Sequence, residues 1–186
     1  WAATAESWDA LRAPAAPNAA ATADLEAFEH AFARQYFQVV RDAIRKHAPN
    51  QLYLGCRFAG APDPAVRACA DIADVVSFNL YWPAVPQDRW TGKDALAKPI
   101  IIGEFHFGAL DRGMFHTGLV ATQSQAERAQ TYTRYLQSVA DHPALVGCHW
   151  FQYIDEPTTG RWYDGENYNI GFLDVTDTPY PELVTA

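Results

Sequence analysis

At 186 residues the chain is long enough to bury a core and falls within the range of one domain. Hydrophobic residues at 49% and charged residues at 19% exclude extended disorder over most of the length. A formal net charge of −8 argues against nucleic acid and anionic membrane surfaces, both of which reward Lys and Arg.

In chain order, residues 13–23 are small and Pro-containing and read as a surface loop, so residues 1–23 are taken as an N-terminal loop segment. Leu25, Phe28, Phe32, Phe37, Val40 and Ile44 then recur at helical spacing and predict an amphipathic helix over 24–47, stopped by Pro49 and Asn50. "QLYLGCRF" predicts a strand. "DPAVRACADIA" predicts a short helix with Asp63 as N-cap and Pro64 at the first helical position. "DVVSFNLYW" and "KPIIIGEFHF" predict the second and third strands. Thr122 and Gln125 read as a capping-box pair opening a helix that runs to about Asp141. "ALVGCHWFQYIDEP" predicts a fourth strand, and the loop-rich tail closes on a short helix near Pro181.

Cys56, Cys69 and Cys148 cannot all pair and read as small buried hydrophobes. No CxxC pair or His/Cys cluster suggests zinc, and no cofactor is expected. No apolar run approaches the ~18 residues of a membrane span. The chain opens on Trp1 without an initiator Met, like a mature or trimmed product, so the N-terminus leaves the compartment unknown.

Near-continuous apolar strands alternating with helices mean an α/β fold with a parallel sheet. An open doubly wound sheet and part of a (β/α)8 barrel both fit that order. The open sheet usually carries a Gly-rich phosphate loop after its first strand, and "GCRFAGAP" is not one. The barrel instead places functional groups at the C-terminal end of every strand. Here the strands end on Arg57; on Asn79, Tyr81 and Trp82; on Glu104 and His106; and on His149, Trp150, Gln152 and Tyr153. Four strands ending this way, where a barrel has eight, predict a half-barrel spanning residues 24–186.

"KPIIIGEFHFGAL" poses the sharpest question, because its run of isoleucines ends on the acid Glu104. A charge in that position is costly to bury, so it must be paired, solvated or functional. Arg57 is the candidate partner, and Tyr81 a candidate hydrogen-bond donor. His106, two residues on, points to the same side of the strand. Asn79 is a candidate ligand for a hydroxyl, and the flat indole of Trp150 a candidate platform for a sugar ring. Trp82, Trp90, Trp162 and Tyr163 are further candidate platforms. Asp155 and Glu156 read by default as solvated loop acids, while Asp111 and His116 receive no role.

"IIIGEFHFGALDRG", "DVVSFNLYW", "VGCHWFQYIDEP" and "NYNIGFLDVTDTPYPEL" resemble strands seven, six and eight and the closing segment of a clan A glycoside hydrolase barrel. Within the clan they are most similar to the agarases of glycoside hydrolase family 50. The resemblance implies a retaining β-agarase-like hydrolase with Glu104 as nucleophile and Arg57, Asn79, Tyr81, His106 and Trp150 around a neutral galactan. It also implies a secreted or periplasmic protein and an acid/base Glu following an Asn at the end of strand four. No Asn-Glu pair precedes the first strand here, so the acid/base is expected to be missing from this chain. The alternative is a catalytically incomplete half-barrel that self-associates, as a homodimer, or pairs with a complementary half.

Overall fold

A computed structural model describes residues 5–12 and 15–186. Trp1 and the loop positions 13–14 lie outside the described residues. The chain divides into two compact units. One reaches to Tyr53 and takes in Gly60–Ala73; the other holds Leu54–Ala59 and Asp74–Ala186.

The first unit is helical. Helix α1 spans Ala19–His47, starting before the expected residue 24, because Asn18 accepts a 2.9 Å hydrogen bond from the Ala21 N–H and caps an alanine-rich first turn. Residues 19–23 are therefore helix rather than loop. The last turn carries Arg45, Lys46 and His47, which oppose the negative end of the helix dipole. The buried face is Ala21, Ala33 and Phe37, not the whole expected stripe. Phe28 and Phe32 are exposed and stack on each other. Helix α2, Asp63–Ile72, packs against α1 and buries Ala68 and Cys69 completely. Its N-cap is Pro62, so Asp63 is the first helical residue and not the cap.

The second unit is a four-stranded parallel sheet in the order β1-β2-β3-β4, formed by Arg57–Phe58, Val76–Asn79, Ile100–Phe105 and Leu145–Trp150. Only the last two residues of the expected first strand pair, as suits an edge strand with a neighbour on one side. The ladders slip between Phe78 and Asn79 and between Ile102 and Phe105, which re-aims the side chains that follow.

Helix α3, Gln125–Ala140, covers this sheet, and Phe105 stacks on its Tyr135 at 4.0 Å. Ser124, not Thr122, caps it. The Ser124 hydroxyl accepts from the Glu127 N–H, while the Glu127 carboxylate reaches back to the Gln123 N–H at 2.6 Å. Thr122 instead donates its hydroxyl to the Gly108 carbonyl. Asp111 accepts from the Gln125 N–H and adds a negative charge at the same helix end. The short helix α4, Pro181–Val184, closes the chain.

A buried polar network fastens the tail to the sheet layer. Arg128, fully buried, donates to the carbonyls of Phe107 and Gly171 and to the Gln125 side chain. All three cysteines are free, and desolvation pushes the half-buried Cys148 thiol up to about 11. Among the described residues no helix is long and apolar enough to cross a membrane, and no cluster of His, Cys, Asp or Glu is set to hold a metal ion.

Candidate active site

The C-terminal ends of β1, β2 and β3 bring three of the expected residues together. Glu104 Oε1 pairs with the Arg57 guanidinium at 2.7 Å, and Oε2 accepts a 2.7 Å hydrogen bond from the Tyr81 hydroxyl. Gly103 makes this possible. A Cβ there would lie 2.5 Å from Ser77 Oγ and 2.8 Å from Arg57 Cδ, so only glycine lets the arginine lie across β3. The Leu80 N–H donates to the Glu104 carbonyl, fixing the start of the Tyr81 loop relative to the acid.

The Glu104 side chain keeps 14% of its surface exposed, against 57% for Arg57. Each carboxylate oxygen is thus held by a partner while part of the side chain stays accessible. An ion pair with so exposed a cation adds little stability, so geometry is the larger consequence. Burial first, and the Glu104 carboxylate second, hold the Tyr81 phenol well above its ordinary range, which keeps it a proton donor. Asn79 sits opposite Glu104 in the ladder, and its buried Oδ1 finds no hydrogen-bond partner among the described residues.

Two expected substrate-binding residues are placed otherwise. His106 is 1% exposed, and both ring nitrogens are engaged by backbone. Its Nε2 accepts from the Leu119 N–H at 2.8 Å, so Nδ1 carries the proton and donates to the Phe151 carbonyl at 3.0 Å. Desolvation lowers its pKa from 6.5 to about 4, with the Arg128 charge a smaller cause. Gly118 has a positive φ of 73°, and a Cβ there would meet Nε2 at 2.5 Å. His106 is therefore a neutral spacer between two loops, with the Tyr81 ring 4.7 Å away, and not a free ligand for a hydroxyl.

Trp150 faces the helix layer. Its indole N–H donates to the Ile170 carbonyl, its ring stacks on Phe172, and Phe105, Phe107 and Tyr132 crowd its edges. The aromatic on the other side is Phe151, whose ring lies 6.2 Å from His106. Strand alternation puts Trp150 and Phe151 on opposite faces, but it is the tertiary register pairing Trp150 with Phe105, which packs on α3, that decides which of the two meets the helix layer.

The tail acids are not solvated. Asp155 is 4% exposed and accepts from the Gly171 N–H, the Asn169 amide and the Tyr180 hydroxyl. Glu156 is fully buried, paired with Arg161 and bound by the Tyr168 N–H; desolvation raises its pKa. Trp90 is a core residue stacked on Phe78, whereas Trp82 is half exposed beneath Arg89. Trp162 and Tyr163 are exposed.

A parallel α/β sheet presenting a paired yet open carboxylate at its C-terminal edge defines a class of site suited to nucleophilic or electrostatic chemistry. No protein-family model matches the chain. β-Agarase B of a Vibrio species is 52% identical over 155 residues, covering 82% of this chain and 16% of the relative. β-Agarase A of the same strain is 45% identical over 196 residues, covering 100% of this chain and 20% of the relative. A solved exo-β-agarase superposes with a TM-score of 0.88 at 51% identity, over 92% of this chain and 23% of the other. The chain thus resembles the family 50 β-agarases, as its motifs indicated, and spans about a fifth or less of the curated relatives it matches.

Proposed function

We propose that the chain is the C-terminal half of a (β/α)8 barrel of a retaining β-agarase-type glycoside hydrolase acting on a neutral β-linked galactan. The half-barrel covers residues 24–186. The observation that carries this reading is Glu104, held by Arg57 and Tyr81 at the C-terminal end of β3 with part of its side chain exposed. A retaining hydrolase needs one carboxylate to attack the anomeric carbon and a second, ~5–5.5 Å away, to protonate the leaving oxygen and then activate water. Glu104 takes the first role. Arg57 and Tyr81 aim it, and Asn79 and Phe151 offer a hydrogen-bond acceptor and an apolar ring to the sugar.

Asp155 is held by three donors, and Glu156 is itself fully buried against Arg161 and the Tyr168 N–H, so the acid/base is assigned to a segment outside these residues. General acid help contributes ~10²–10⁴-fold. Hydrolysis of agarose by the chain alone should therefore be weak or undetectable. Adding a first half-barrel that bears an Asn-Glu pair should raise the rate by about that factor and change affinity far less, because the added group acts in the transition state. A reducing-sugar assay beside a binding titration reads both. Full-rate cleavage by the chain alone would place the acid within it, and a complemented complex that binds but never cleaves would sink the reading.

The open sheet edges favour a second reading, a scaffold that self-associates. β1 and β4 end the sheet, and Val146 of β4 is exposed. A homodimer in sedimentation that neither binds nor cleaves agarose with any complement would favour it.

A further inference from the structure

The loop after β4 carries an exposed aromatic pair that the Glu104 site does not use. The Trp162 ring is 95% exposed and meets Tyr163 edge-on at 5.4 Å with an interplanar angle of 81°. Exposed rings on a slack loop would be unremarkable, but this loop is braced. The Arg161 N–H donates to the Glu166 carbonyl, and the Gly165 N–H donates back to the Arg161 carbonyl. The Arg161 guanidinium binds both oxygens of Asp164, at 3.1 and 2.6 Å, pairs with Glu166, and reaches the buried Glu156 at 3.1 Å. The same guanidinium lies 4.9 Å from the centre of the Tyr163 ring and 5.9 Å from that of Phe151. A single cation therefore ties the aromatic tip to the ring flanking the candidate active site.

We propose that Trp162 and Tyr163, with the carboxylates of Asp164 and Glu166, form an outlying binding subsite for a neutral saccharide chain whose reacting sugar lies at Glu104. Three carboxylates surround one guanidinium here, an excess of negative charge that repels an anionic ligand. Asp164 and Glu166 remain about a third exposed, so they retain lone pairs to accept from hydroxyls beside a flat apolar ring. Stacking together with hydroxyl acceptance is the chemistry that recognises a pyranose. Successive contacts from Glu104 through Tyr81, His106 and Phe151 to Arg161, and the electrostatic reach of Glu166 to Tyr81, place the tip within a few side chains of Glu104, a separation suited to a ligand of several sugars. This inference rests on the glycosidase reading and extends it from a single sugar to a chain.

The test is a calorimetric titration of the native chain and of Trp162→Ala with neutral agarose oligosaccharides, from disaccharide to decasaccharide. Native affinity should rise with length. Trp162→Ala should lose about tenfold on the longest ligands, be unchanged on the shortest, and be largely rescued by Trp162→Phe. If both proteins bind every length equally, the subsite is overturned while the active-site reading stands. If no length binds the native chain, both fall. If Trp162→Ala changes only self-association in sedimentation, the pair is a protein contact and the subsite is overturned.

Discussion

Glu104 and Asp155 both follow apolar strand segments, and both are surrounded by hydrogen-bond donors. Glu104 accepts from two groups, a half-exposed arginine and a tyrosine, and leaves part of its surface to solvent. Asp155 accepts from three, is 4% exposed, and lies within the electrostatic reach of the buried Arg128. The first carboxylate is aimed; the second is consumed. An acid at a strand end therefore signals chemistry only when its partners leave lone pairs free for something else.

The comparison breaks most sharply under substitution. Glu104→Gln preserves shape and removes the charge of the proposed nucleophile. In whichever preparation cleaves agarose, alone or complemented, the rate should fall by at least ~10⁴-fold, about 5.5 kcal/mol of barrier, with the unfolding transition little changed. Equal rates for variant and parent would make Glu104 a structural acid like its counterpart.

Asp155→Ala should show the opposite pattern. It strands the Gly171 N–H, the Asn169 amide and the Tyr180 hydroxyl and removes one of the carboxylates whose field acts on the buried Arg128, which costs about 3–5 kcal/mol of stability. Denaturant unfolding reads this directly. A loss under about 1 kcal/mol would mean that the network is less committed than its geometry indicates.

His106 sharpens the comparison through pH. Its folded pKa is depressed from 6.5 to about 4, so the unfolded chain takes up a proton first as pH falls. The stability it contributes is present above about 6.5 and is lost as pH falls toward about 4, on the order of 3 kcal/mol in all. Buried Glu156, with its pKa raised, works with the opposite sign. The clean readout is thus the difference between the native chain and His106→Gln in unfolding free energy at pH 7 and pH 4.5. A native loss no larger than that of the variant would show that His106 is not held neutral.

The alternation of helices with β-branched runs determined the parallel α/β sheet, because a strand buried on both faces must be apolar throughout and ends where a polar group appears. The same logic placed Glu104 at the edge of β3 and named Arg57 and Tyr81 as its partners, since a charge there requires them. Local capping chemistry was only half legible. Thr122 and Ser124 both satisfy the pattern, and tertiary contacts decided between them by giving the Thr122 hydroxyl to Gly108. The N-terminal helix began earlier than its apolar stripe because alanines and an Asn cap carry helix without showing periodicity. What only the tertiary structure decided was which way side chains turn beyond a ladder slip. The irregularity between Ile102 and Phe105 sends Trp150 into the helix layer and leaves Phe151 on the His106 side, an outcome no period-2 count across the slip recovers. Nor could composition separate an acid that water reaches from one that the tail folds over. Asp155 and Glu156 are buried by residues 168–180, and partners so far along the chain are set by packing rather than by spacing.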